Sequence, residues 1–121
     1  MEISADTTTL AVGDLVTVTG QAVDIGLPYF QILLKDAGAA EFAPLAQVTY
    51  ENKIQGSADV SQVLELVSAE GNYTQVVITL RARAAGSTEI AISATGEVHS
   101  SQGYMWSGGG SESLTIIVTS P

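Results

Sequence analysis

Apolar and polar side chains alternate with a period of two residues along six separate stretches, and no other feature constrains the fold of this chain as strongly. Successive side chains of a β-strand point to opposite faces, so each stretch predicts a strand with one buried and one solvated face. Two packed sheets cover such faces. The apolar members are Val16, Val18 and Ala22; Phe30, Ile32 and Leu34; Ala46, Val48 and Tyr50; Val76, Ile78, Leu80 and Ala82; Ile90, Ile92 and Ala94; and Leu114, Ile116 and Val118.

Turn residues interrupt the alternation at intervals of roughly 8–12 residues, which is typical of sandwiches and barrels. We therefore predict an all-β fold for residues 1–121: a single two-sheet antiparallel β-sandwich of about seven to nine strands. Beyond the six alternating stretches, the further strands would lie around Ile3–Val12, in Val60–Ser68 and near Val98.

The segment from Asp59 to Gly71 fits two secondary structures. Its apolar residues follow the i, i+3, i+4, i+7 spacing of an amphipathic helix. They are Val60, Val63, Leu64 and Val67. Because the segment is short and lies inside an all-β pattern, we predict a strand and keep a helix as the alternative.

The connection between residues 74–83 and 88–95 also has two interpretations. If both stretches pair in one sheet, Arg81 faces Glu89 across the strands, which is a favourable pair. If the chain crosses to the second sheet, the two residues need not meet. The alternation fits both arrangements.

The charge limits what the domain can bind. With 13 acidic and 4 basic residues, the chain carries a net charge of −9. Such a surface repels nucleic-acid phosphates and anionic lipids, so we expect neither as a partner. The apolar runs are only a few residues long, so we predict no membrane insertion. The acidity serves solubility or, alternatively, attracts a basic partner.

The chain has no cysteine and a single histidine, His99, which leaves little for catalysis. Only Glu97 is near His99, and neither a calcium-loop pattern nor a Gly-x-Ser-x-Gly elbow is present. We predict no metal, no cofactor and no enzymatic activity. Turn caps and solvated faces explain the scattered acids. They are Asp6, Asp14, Asp24, Glu41, Glu51, Glu65 and Glu97.

Three stretches resemble bacterial extracellular immunoglobulin-like and cohesin-like domains. Leu10–Thr19 is similar to their "VGD-x-VTV" opening, and Phe30–Leu34 with Glu41-Phe42 is similar to a cohesin strand and its acidic-aromatic continuation. Residues 78–92 and 113–116 resemble the final strands of both families. The Tyr-Asp-Pro turn of cohesins is replaced by residues 34–37, Leu-Lys-Asp-Ala, which argues against dockerin recognition.

The resemblance implies an immunoglobulin-like or cohesin-like sandwich from a larger exported protein. The expected location is extracellular or at the cell surface, with the periplasm as an alternative. The abrupt ends near Ser4 and at Pro121 favour a segment cut from a longer chain. We expect the isolated domain to be a monomer.

The segment Tyr104–Ser111 is the best candidate for a binding site. Tyr104 and Trp106, the one tryptophan, stand beside three consecutive glycines. Flat amphipathic rings on a loop can bind sugars or proteins. The alternative is that both rings pack inward from a short strand, since buried aromatic residues dominate small cores.

These observations predict a non-catalytic extracytoplasmic module for adhesion, scaffolding or spacing. The alternative is a ligand-binding module that uses the Tyr104–Ser111 segment to bind a protein partner or a carbohydrate. Exposure of Trp106 to a fluorescence quencher would favour the second hypothesis.

Overall fold

The alternating stretches form two sheets that pack face to face. The computed structural model describes the backbone of residues 1–99 and 105–120 and the side chains of residues 1–96 and 109–120. The strands within that part of the chain are β1 (Glu2–Ala5), β2 (Thr9–Ala11), β3 (Leu15–Gln21), β4 (Gly26–Asp36), β5 (Ala43–Thr49), β6 (Ile54–Gln55), β7 (Leu64–Gly71), β8 (Gln75–Ala82), β9 (Gly86–His99) and β10 (Met105–Thr119).

The first sheet has the order β1-β3-β8-β7 and the second the order β2-β10-β9-β4-β5-β6. All neighbours are antiparallel except β2 and β10, which are parallel. The predicted all-β sandwich is confirmed. The described strands number ten, above the predicted seven to nine, because the N-terminal stretch divides into two strands and the two-residue β6 was not predicted. The separate strand predicted near Val98 is wrong, because Val98 lies within β9.

The apolar members of the alternating stretches form the core between the sheets. Phe30, Ile32, Ile78 and Ile92 have no solvent-exposed surface. One predicted position is wrong at the end of β5, where Thr49 is buried. The alternation stops there because the chain turns, and Tyr50 lies in that turn, half-buried.

The N-terminal stretch does not form the single strand predicted around Ile3–Val12. β1 pairs with β3 in the first sheet, whereas β2 pairs with β10 in the second. The break lies at Asp6, whose Oδ1 accepts a hydrogen bond from the Thr17 amide at 3.0 Å. The chain thus passes from one sheet to the other within a few residues.

The ambiguous segment forms strand β7, as predicted, but the strand begins at Leu64. A register shift between Leu66 and Ser68 in its pairing with β8 interrupts the alternation. The helical spacing has no structural counterpart, because Val60 and Val63 precede the strand and Val67, at the shift, is exposed.

The connection from β8 to β9 crosses between the sheets, which decides the second open question. Arg81 therefore lies opposite Glu65 on β7, with its Nη1 3.4 Å from Glu65 Oε1. Glu89 lies opposite Lys35 of β4 instead.

Three connections meet at one end of the sandwich, and we call residues 22–25, 50–53 and 72–74 the loop end. They follow β3, β5 and β7, and backbone or side-chain hydrogen bonds join them. The Ala22 amide donates to the Thr74 carbonyl at 2.8 Å, and the Gly71 amide donates to Asn52 Oδ1 at 2.9 Å. The C-terminal part of β9 reaches the same end, because Glu97 pairs with Gly26.

Candidate functional site

Three tyrosines form a cluster at the loop end. Tyr29 lies near the start of β4, Tyr50 follows β5, and Tyr73 lies in the turn between β7 and β8. The Tyr29 and Tyr50 rings meet edge to face, with centroids 6.3 Å apart. The Tyr50 and Tyr73 rings are tilted by 37°, with centroids 5.2 Å apart. Such geometries stabilise aromatic pairs beyond the burial of their area.

The cluster is open to solvent. Tyr29 exposes 46% of its surface and Tyr73 exposes 63%. Leu27 and Ile54, at the adjoining ends of β4 and β6, are also exposed. Large exposed apolar side chains that lie together often mark an interaction surface.

Asn52 holds two tyrosine-bearing turns in fixed positions. Its Oδ1 accepts the hydrogen bond from the Gly71 amide, so the turn that carries Tyr50 is tied to the end of β7. The Asn52 backbone is left-handed, with φ of 64°, a conformation that asparagine tolerates better than most residues.

Asn72 organises the turn that carries Tyr73. Its Oδ1 accepts hydrogen bonds from the Thr74 amide at 2.9 Å, the Thr74 hydroxyl at 3.0 Å and the Gln75 amide at 2.9 Å. This is an Asx-turn, in which the side chain replaces a backbone partner. The ring of Tyr73 is therefore presented on a defined turn.

Gly71 allows the two turns to approach closely. A Cβ atom at this position would lie 2.5 Å from the Thr49 carbonyl oxygen and 2.7 Å from Val48 Cγ1. Both distances are too short for a real side chain. The contact between Tyr50 and Tyr73 thus depends on a glycine at the end of β7.

The non-glycine residues with left-handed backbone lie at or near this end. Among the described non-glycine residues, those with positive φ are Asp24 at 57°, Leu27 at 50° and Asn52 at 64°. Leu27 has the highest conformational energy of the three, because a branched apolar side chain rarely adopts this conformation. Strain of this kind persists where the surrounding structure imposes it, and it is often found at functional sites.

A polar network at the opposite end, which the sequence did not point to, centres on Asp36. Its carboxylate accepts hydrogen bonds from the Ser61 hydroxyl at 2.6 Å, the Gln62 amide at 2.9 Å and the Thr88 hydroxyl at 2.7 Å. Arg83 pairs with Asp59 and donates to the Ser61 carbonyl. Asp36 and Thr88 connect the segment before β7 to the second sheet, and Arg83, which follows β8, connects it to the first. The network therefore has a structural role.

The residues predicted from sequence as a binding site lie at or beyond the edge of the described region. Tyr104 lies outside the described residues. The backbone of Trp106 is in β10, opposite Val98, and its side chain lies outside the described part, as do those of Glu97 and His99. The prediction for Tyr104 and Trp106 therefore stays a prediction. The paired ends of β9 and β10, where Val98 lies opposite Trp106 and His99 lies opposite Met105, extend from the loop end.

The remaining predictions concern acids, metal and membrane. Asp14 caps its turn, as predicted, because its Oδ2 accepts a hydrogen bond from the Ala11 amide at 3.0 Å. Asp6 instead accepts its bond from the Thr17 amide of strand β3. Within the described side chains, no group of three or more histidines and acids lies close enough to hold a metal ion. No helix in the described chain has the length and apolar character needed to cross a membrane.

No protein-family model and no curated protein sequence matches this chain. Solved structures do match. One such match is a chain from the structure described as the structural basis of T cell specificity and activation by the bacterial superantigen toxic shock syndrome toxin-1. It is 12% identical, the alignment covers 98% of both chains, and the TM-score is 0.66. At this identity the likeness shows the fold alone.

Proposed function

We propose that this domain is a non-catalytic recognition module of an exported protein, and that it binds a partner at the loop end. The observation that carries the proposal is the tyrosine cluster, in which Tyr29 lies near the start of β4 and Tyr50 and Tyr73 lie on turns that hydrogen bonds hold in place, with Tyr29 and Tyr73 well exposed. Tyrosine supplies a large amphipathic contact area at low cost in side-chain entropy. Fixed turns lower the cost of ordering a binding surface.

The strand order supports the immunoglobulin-like alternative over the cohesin-like one. The order β1-β3-β8-β7 corresponds to ABED, and β10-β9-β4-β5-β6 corresponds to the second sheet of a variable-type immunoglobulin domain. In that fold, binding loops cluster at the end where the B–C, C′–C″ and F–G connections meet. In this chain residues 22–25 correspond to the B–C connection and residues 50–53 to the C′–C″ connection. The connection between β9 and β10 corresponds to F–G.

The domain departs from immunoglobulins in its core. The chain has no cysteine for a disulfide between the sheets, and Phe30 occupies the buried face of β4. Fold-level analogy supplies no ligand, so the proposal rests on the tyrosines themselves.

The alternative within the same proposal is a spacer, for which the loop end would have no partner. A screen of the domain on peptide and glycan arrays separates the two. We expect binding by the wild type, and a loss of about tenfold or more in the variants Tyr29→Ser and Tyr73→Ser, as for hot-spot residues. Leu15→Ser, at an exposed apolar position at the other end, is the matched control and should bind normally.

We further propose an extracellular or cell-surface location, or a periplasmic one, and no catalytic role. The proposed location rests on the resemblance to exported modules. The proposed lack of catalysis rests on a chain that has one histidine and no cysteine. A parent gene without an export signal would contradict the first. Turnover of ester, peptide or glycoside substrates by the domain would contradict the second.

A further inference from the structure

The described side chains at the loop end carry an excess of negative charge. The described acids at or beside this end are Glu2, Asp24, Glu51 and Glu70. None of them forms an ion pair with a described residue. Lys53 is the one base among the described side chains there.

The other bases lie at the opposite end, where acids accompany them. Arg81 and Arg83 both approach Glu65, at 3.4 and 4.0 Å, and Arg83 also pairs with Asp59. Lys35 stands near the end of β4, on the same side of the molecule. The negative field at the loop end is therefore left to attract cations from outside the chain.

The tyrosine rings favour the same kind of ligand. The face of an aromatic ring is negative and attracts guanidinium and ammonium groups. Tyr29 and Tyr73 are both well exposed, and Glu70 and Glu51 lie in or beside the turns that present Tyr73 and Tyr50. Ring faces and carboxylates thus occur together on one surface.

The ring orientations favour a peptide over a carbohydrate chain. A polysaccharide stacks best on ring faces that lie in one plane. Here the interplanar angles are 90° for Tyr29 with Tyr50 and 37° for Tyr50 with Tyr73. Such a surface suits side chains that approach from several directions.

We infer that the loop end binds a basic peptide segment of a protein partner, with lysine or arginine side chains placed against the tyrosine rings and the neighbouring acids. This inference rests on the proposed function and adds the chemical class of the partner. Charge complementarity gives such a surface its selectivity and its rate of association.

The test uses an array of synthetic peptides of equal length and apolar content, whose net charge runs from acidic to basic. The wild-type domain should bind the basic peptides best. Added salt should weaken that binding, because the acids are exposed and screened by ions.

Two matched variants locate the binding. Glu51 and Glu41 lie in the turns at either end of β5, both are exposed, and Glu51→Gln and Glu41→Gln remove the same charge. We expect Glu51→Gln to weaken binding of basic peptides about two- to fivefold, as for an exposed ion pair. Glu41→Gln should leave it unchanged, and Tyr73→Ser should weaken it about tenfold or more.

Each outcome decides a point. Equal losses in the two glutamate variants would assign binding to net charge and overturn the inference. Preferred binding of neutral peptides, acidic peptides or glycans, abolished by Tyr73→Ser, would overturn the inference and keep the proposed function. An absence of binding to every peptide and glycan would overturn both. Circular dichroism of each variant verifies that it is folded.

Discussion

Asp36 shows how a single carboxylate can tie distant segments together. Burial raises its pKa, but the hydrogen bonds from Ser61, Gln62 and Thr88, with the positive charge of Arg83, outweigh that effect and hold the pKa below its ordinary value of 3.8. The charged form is therefore stabilised in the folded state. Asp36 and Thr88 lie on β4 and β9 of the second sheet, and Ser61 and Gln62 lie in the segment before β7, so the ionised group ties that segment to the second sheet.

The lowered pKa makes the stability sensitive to acid. A carboxylate whose folded pKa lies below its unfolded value stabilises the fold above the unfolded pKa, and that contribution is lost as the pH falls through the folded pKa. We expect the free energy of unfolding to decline below about pH 4. Asp36→Asn should lower it by about 1–3 kcal/mol at neutral pH and flatten the acid decline. Urea titrations over a pH series measure both effects, and an unchanged pH profile in Asp36→Asn would contradict the assignment.

Leu27 provides a second prediction at the residue scale. Its φ of 50° is disfavoured for any residue with a Cβ atom. Leu27→Ala and Leu27→Gly both lose the leucine side chain, yet the glycine variant should be more stable by about 1 kcal/mol. That order is the reverse of the usual one within strands. Thermal unfolding of the two variants measures it, and an alanine variant as stable as the glycine variant would disprove the strain.

At the scale of elements, the approach of the β7 end to the β5 end positions the tyrosines. Gly71→Ala places a methyl group within 2.5 Å of the Thr49 carbonyl oxygen, so the two turns must separate. We expect a loss of about 1–3 kcal/mol, as for overpacking, and a weaker contact between Tyr50 and Tyr73. Denaturant unfolding and the NMR ring-proton shifts of the tyrosines report these changes.

Gly110→Ala is the control for that variant. A Cβ atom at Gly110 of β10 meets its nearest neighbour, Met1 Cβ, at 3.4 Å, which is an ordinary contact. The variant should unfold like the wild type. If Gly110→Ala costs as much as Gly71→Ala, the loss reflects methyl addition to any strand glycine and not the close approach of the turns.

The sequence could predict most strands, because a strand with one buried face has apolar residues at every second position. Val16 and Val18, or Ile90 and Ile92, lie two positions apart in the sequence and are buried, so local spacing carries the information. The crossing from β8 to β9 could not be predicted in this way. Whether Arg81 faces Glu65 or Glu89 depends on pairing between distant segments, and both pairings satisfy the same local pattern.

The tyrosine cluster escaped prediction for the same reason. Tyr29, Tyr50 and Tyr73 are each about twenty residues from the next, and nothing local links them. One signal was present: Tyr73 follows Gly71 and Asn72, residue types that favour turns, and the asparagine suits an Asx-turn. An aromatic residue on such a turn is poorly placed for a core, and this could have marked it as exposed.

At the scale of the whole molecule, the two sheets are joined by packing without a covalent link, since the chain has no cysteine. Gly20 of β3 lets Ile92 of β9 approach from the opposite sheet: a Cβ atom at position 20 would lie 2.9 Å from Ile92 Cγ2. Within the described side chains, the ion pairs and the Asp36 network lie at one end of the sandwich. Exposed Tyr29 and Tyr73, and described acids that form no ion pair, lie at the other.

The parallel pairing of β2 with β10 has a mechanical consequence. Thr9 to Ala11 lie alongside Ile117 to Thr119, and both strands run in the same direction. A force that pulls the two termini apart acts on opposite ends of this pair, so its hydrogen bonds are loaded in shear and must break together. We expect a higher rupture force when the domain is stretched from its termini than when it is stretched across the β4–β5 hairpin, where bonds open one after another. Single-molecule stretching along the two axes measures the difference, and equal rupture forces would contradict the expectation that the β2–β10 pair resists shear.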